Sequence, residues 1–144
     1  MGMKVLVCTD GSGHSQRAVK EAVKIATNLK RVEIYIINVC EIVESSVFDY
    51  DKALMQSEEV KIIERAETIL HEAARTFEEN NLKPTIILKR GHPSSEIIKE
   101  ASDGNFDLVV LGTRKIGGLK KLFLGSVCNA VVQGVGTNVM IVTH

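Results

Sequence analysis

Apolar residues fall into two patterns that alternate along the chain. KVLVCT (Lys4–Thr9) is a short continuous apolar run closed by Asp10-Gly11-Ser12-Gly13, which predicts a buried strand and a turn. From Ser15 the period changes: Ala18, Val19, Ala22, Val23, Ala26 and Leu29 share one helical face, with Lys and Glu elsewhere. VEIYIINV (Val32–Val39) is strand-like again. Val60, Ile63, Leu70 and Phe77 then mark a second, longer helix. TIILKR (Thr85–Arg90) is a third strand, with Pro84 at its entrance, where a missing N–H matters least. Pro93 suits the first residue of a helix carrying Ile97, Ile98 and Ala101. DLVVLG (Asp107–Gly112), a helix through Val127, Ala130 and Val131, and a last strand VMIV (Val139–Val142) complete the series.

Strands that alternate with helices predict an α/β fold with a mostly parallel sheet. Their near-continuous apolar character places helices on both faces, and right-handed crossovers follow. The expectation is a single doubly wound sandwich with five strands, one domain over residues 1–144. Between Glu41 and Met55 the pattern lapses, which predicts a mobile insertion near the site.

Composition narrows the partners. Eighteen Lys and Arg balance eighteen Asp and Glu, so the net charge is zero. That argues against broad nucleic-acid binding, which needs many phosphate-neutralising cations, but leaves room for a local anion site. No apolar run approaches a bilayer-spanning length, and no signal peptide is evident, so a cytoplasmic location without membrane association is expected. Cys8, Cys40 and Cys128 have no zinc-type spacing and read as small buried hydrophobes in a reducing compartment.

In open parallel sheets, ligands bind at the carboxyl ends of the strands. Three loops with chemistry are expected there: Asp10–Ser15, Val39–Glu41 and Gly112–Ser126. The last reads GTRKIGGLKKLFLGS. It is not a P-loop, because Gly118-Leu119 stand where Lys and Ser or Thr belong. The first loop starts a dinucleotide fingerprint with Gly11 and Gly13, but Gln16 occupies the third glycine position. A receiver-type site wants an acidic pair, and Asp10 stands alone.

Thr9-Asp10-Gly11-Ser12, Gly91-His92-Pro93 and DLVVLGTR…GGLKKLFLGSV together resemble the universal stress protein family, in order and over essentially the whole chain. The most specific part is the family's nucleotide pattern: Gly, two residues, Gly, nine residues, Gly, then Ser or Thr. Gly112 and Gly125-Ser126 match it, and Lys115 replaces its second glycine. The resemblance implies a domain that binds ATP or a related adenine nucleotide (AMP or ADP), with Mg²⁺ accompanying ATP through its phosphates. It also implies a homodimer paired through the last strand, Val139–Val142, and a role in a stress response. By position, Asp10 and Val39 would hold the adenosine, with Thr9 flanking. Gly112, Thr113, Arg114, Lys115, Gly125, Ser126 and Val127 would surround the phosphates.

Each of these residues has a plainer reading beside it. Ser126 would serve equally as a helix N-cap, and Asp10 as the acceptor of an Asx-turn. Arg114, Lys115, Lys120 and Lys121 would serve as a solvated basic face. Lys115 is ambiguous in sign: its Cβ disfavours a left-handed backbone, while its ammonium suits a phosphate. His14 and His92 are expected at the site end, His71 on the surface. No metal-ligand spacing appears, and neither Ser12 nor Ser15 has an evident base. The function expected is therefore a non-enzymatic, nucleotide-binding regulator. The alternatives are a nucleotide-free interaction module whose cradle Lys115 has closed, and a small flavodoxin-like or dinucleotide-binding enzyme domain.

Overall fold

The structure is a computed structural model that describes residues 2–42, 52–114 and 124–143. The chain runs β1 (Met3–Cys8), α1 (Gly13–Thr27), β2 (Val32–Cys40), α2 (Lys52–Glu78), β3 (Thr85–Arg90), α3 (Pro93–Asp103), β4 (Leu108–Gly112), α4 (Gly125–Gly134) and β5 (Asn138–Val142). The strands form one sheet in the order β3-β2-β1-β4-β5, parallel throughout. The expected α/β architecture is the observed one, and β5 lies at a sheet edge.

The apolar runs are continuous because successive side chains enter different cores. Val5, Val7, Ile34, Ile36 and Val110 pack on one face against Ala18, Val19 and Ala22 of α1 and Leu70, Ala74 and Phe77 of α2. Leu6, Ile37, Val109 and Leu111 pack on the other against Ile97 and Ala101 of α3 and Cys128 and Val131 of α4. Alternation thus survives, but with both phases apolar. Alanines on α1 let its backbone approach the sheet closely, and all three cysteines are buried free thiols.

The second helix departs from expectation. It begins at Lys52, inside the segment expected to be a mobile insertion, and residues 43–51 lie outside the described residues. The apolar period was invisible there because the described side chains of the first turns of α2 are mostly exposed. Leu54, Val60 and Ile62 are exposed, and the first buried position among the described side chains is Ala66. An ion pair from Arg90, at the end of β3, to Glu59 ties this stretch to the sheet. Among the described residues, no helix is long and apolar enough to cross a membrane.

Candidate functional site

Chain direction decides where the site lies. From β1 the chain winds outward to β2 and β3, then returns to place β4 on the other side of β1. Connections therefore diverge between the carboxyl ends of β1 and β4, the switch point where such sheets open a crevice. The parallel register pairs Val7 with Val110, so Thr9-Asp10 and Gly112-Thr113 emerge side by side.

Gly112 is required by this closeness. A Cβ there would lie under 3.0 Å from the backbone carbonyl oxygen of His14, so any side chain would force β4 and the start of α1 apart. The crevice between them and α3 and α4 is a cavity of about 450 Å³, within the range of small-molecule sites. Its floor is apolar: Cys8, Ile37, Val39, Ile97, Leu111 and Val127. Asp10, His14, Thr113, Arg114, Gly125 and Ser126 give it a polar side.

On that side, Asp10 Oδ1 accepts the Ser12 backbone N–H at 2.9 Å and the Ser12 hydroxyl at 2.5 Å. Partial burial raises the Asp10 carboxyl. The Ser12 and Ser15 donors and the neighbouring His14 outweigh that effect and hold it below its ordinary value. The Asx-turn reading is thus observed, and Asp10 also lines the cavity. Ser12 is the N-cap of α1 and accepts the Ser15 N–H at 3.3 Å. His14 Nε2 lies 3.0 Å from Ser12 Oγ. The expectation that Ser12 lacks a neighbouring base is corrected: local turn geometry brings both Asp10 and His14 onto it.

The buried Thr9 hydroxyl accepts the Gly11 N–H at 3.2 Å and lies 3.1 Å from Ser15 Oγ, fixing the turn from below. Thr113, also buried, continues the sheet by donating its N–H to Val142 O at 3.0 Å.

The α4 terminus is built differently. Its N-cap is Leu124, which makes no side-chain capping hydrogen bond, and Gly125 follows at φ 68° with open space where a Cβ would stand. Ser126 is exposed and is not the cap, so the N-cap reading of Ser126 is corrected. The first N–H groups of α4 therefore reach the cavity rim without a side-chain cap, at the positive end of the helix dipole.

Every residue that the resemblance assigns to the nucleotide lines this cavity except Lys115, which lies outside the described residues. His92 is not part of the lining. It lies 3.0 Å from Ser94 Oγ, and Pro93 faces the cavity instead. Sequence reasoning missed the floor residues Cys8, Ile37, Leu111 and Cys128. Strand parity held the signal, because Cys8, Ile37 and Leu111 all point toward the α3 and α4 face at their strands' carboxyl ends. Burial pushes the Cys8 thiol up, with Cys128 adding to the effect; burial and the Asp10 charge push up Cys128. Both thiols are neutral wall, and Cys128 Sγ–H donates to Gly112 O at 3.4 Å. No cluster able to hold a metal ion occurs among the described residues.

The sequence profile of the Universal stress protein family matches residues 1–143. This chain belongs to that family. It is 32% identical to Universal stress protein YxiE of Bacillus subtilis, over 90% of this chain and 91% of that one. Its fold is similar to the solved structure of MJ0577 from Methanocaldococcus jannaschii, with TM-score 0.80, 25% identity, and coverage of 100% of this chain and 97% of that one. A universal stress protein solved in complex with cAMP is similar at TM-score 0.71 and 27% identity, covering 98% and 97% of the two chains.

Proposed function

We propose that this universal stress protein is a single-domain cytoplasmic regulator that binds ATP or a related adenine nucleotide in the switch-point cavity. The observation that carries this reading is the cavity itself. An apolar slot suited to a base adjoins the Asp10 carboxylate and the open N-terminus of α4. A sugar hydroxyl would donate to Asp10, and phosphate oxygens would accept from the N–H groups of Gly125, Ser126 and Val127, where a helix N-terminus favours an anion. The cAMP complex of a family member supports the adenine class. Mg²⁺ accompanies ATP through its phosphates.

In this reading the protein acts by binding rather than by catalysis, in a stress response, and it assembles as a homodimer through β5. That strand is an apolar sheet edge, half-exposed from Val139 to Val142, which needs cover. Native mass spectrometry of the purified protein, followed by titration with ATP, AMP, cAMP and NADH, tests the ligand. Retention or selective binding of adenine mononucleotides supports the reading, and NADH selectivity or binding of none of the four overturns it. Light scattering that finds only monomer at micromolar concentration overturns the dimer.

A further inference from the structure

The sheet has two edges, and they are defended differently. β3, the outer strand on one side, is entered from Pro84 and ends in Lys89 and Arg90, which form ion pairs with Glu100 and Glu59. Proline and charged side chains are the usual means of keeping an edge from pairing. β5 has neither: Asn138-Val139-Met140-Ile141-Val142 carries no charge and no proline. Met140 and Val142 pack toward the core under α1 and α2, Val139 and Ile141 toward the core under α3 and α4, and all four stay partly exposed.

The hydrogen bonds to β4 fix which backbone groups of β5 are left over. Val142 O accepts the Thr113 N–H at 3.0 Å, so Val142 turns its N–H and C=O inward to β4. The direction alternates along a strand, so Met140 and Asn138 also turn inward. Val139 and Ile141 therefore turn theirs out from the open edge of the sheet.

We propose that β5 pairs with the β5 of a second copy in one antiparallel register, with the two-fold axis through Met140. This deepens the reading of β5 as a dimer edge and rests on it. A closed two-fold sets identical edge strands antiparallel. Parity then limits the register: an axis between two residues would face an outward residue with an inward one, and no ladder forms. An axis through Ile141 would set Val139 against the partner's Thr143 and leave Asn138 opposite no strand residue. An axis through Met140, the midpoint of Asn138–Val142, leaves no strand residue unpaired. Val139 then faces the partner's Ile141, and each such pair exchanges both its N–H···O bonds. Their apolar side chains meet on the α4 face. On the α1 face Met140 meets the partner's Met140 as a non-hydrogen-bonded pair, with Cα atoms about 4.5 Å apart. With no charge on the strand, self-pairing sets no like charges together.

That central pair is within disulfide reach, which gives the test. Met140→Cys, Val139→Cys and Ile141→Cys are oxidised mildly and run on non-reducing gels beside the wild type, whose own three cysteines are buried. The expected result is that most Met140→Cys chains become covalent dimer, while Val139→Cys, Ile141→Cys and the wild type stay largely uncrosslinked. Asn138→Cys and Val142→Cys face each other in the same register, so co-expressed they crosslink, and separately they do not. This second pair decides the matter if Met140→Cys fails to fold or to dimerise, as circular dichroism and light scattering would reveal. A dimer in which Ile141→Cys or Val139→Cys crosslinks to itself instead overturns the register and leaves the dimer standing. A wild type that is only monomer overturns both and leaves the nucleotide reading untouched.

Discussion

Two helices aim their N-termini at one cavity, and they begin in opposite ways. α1 is closed from within: Ser12 caps it, Asp10 holds Ser12, and Thr9 holds Gly11. α4 begins behind Leu124 with no side-chain cap, and a left-handed Gly125 comes next. Both helices start with the same deficit of unpaired N–H groups. The terminus rich in polar side chains is self-sufficient, while the plain Leu-Gly-Ser start leaves its donors to water or a ligand. A turn crowded with hydrogen-bonding residues is thus the structural one, and the ligand-facing terminus is the one that lacks them.

The sharpest way to break this arrangement is Gly112→Ala, because Gly112 is what lets β4 reach α1. The new Cβ meets the backbone carbonyl of His14, which cannot rotate aside. The expected cost is about 3 kcal/mol, the upper part of the overpacking range. That lowers the melting temperature by roughly 10 °C and abolishes nucleotide binding. An unchanged melt would mean that β4 and the start of α1 are not held this closely.

Gly125→Ala tests the α4 side alone. Nothing surrounds the added methyl, so the whole effect comes from φ 68°, which costs about 1–2 kcal/mol for a residue with a Cβ. Gly125→Asn, tolerant of the left-handed region, is expected to lose less in the same melts. Equal losses for the two variants would point to a steric cause that the open space contradicts.

How much of this was legible beforehand follows the same physics. Strands and helices were readable wherever both partners of a contact lie in a repeating pattern, as in Val5-Leu6-Val7 or Ala18-Val19-Ala22. The start of α2 was not, because an exposed apolar residue such as Leu54, ahead of the period that begins at Val60, does not reveal a helix face. At the site, backbone-driven positions were legible: Gly112 and Gly125 announce themselves by being glycine. Cooperative ones were not. That Ser12 sits between Asp10 and His14 depends on the dihedrals of a turn, with Gly11 at φ 82°, and no spacing rule encodes those angles. The floor residues Cys8 and Leu111 were hidden for a different reason. A side chain that faces a cavity and one that faces a packed helix look alike in a buried strand.

A pair of serine substitutions sharpens the contrast between the termini. Ser12→Ala removes a cap and is expected to cost about 1 kcal/mol in chemical denaturation. Ser126→Ala touches an exposed residue that is not the cap, so stability stays within about 0.5 kcal/mol. Ligand binding reverses the order of interest. Loss of a contact to phosphate in Ser126→Ala weakens ATP about tenfold and leaves adenosine unchanged. Equal weakening of ATP and adenosine would contradict the assignment of Ser126 to the phosphates.

The smallest effect separates the termini by pH. Burial raises the Asp10 carboxyl, but donors from Ser12 and Ser15 and the neighbouring His14 bring it below its ordinary 3.8. Its ionised form is therefore favoured by folding. The stabilisation is complete well above 3.8 and is lost as the pH falls through the lower, folded-state value. Much of it runs through the Ser12 hydroxyl, so the stability deficit of Ser12→Ala is expected to be largest near neutrality and to shrink in acid. Denaturation midpoints between about pH 2.5 and 6 measure this directly. The α4 start holds no carboxylate in its first turn, so Ser126→Ala tracks the wild type across the same range. A Ser12→Ala deficit independent of pH would mean that the α1 terminus is closed by the neutral cap alone, with Asp10 left to the ligand.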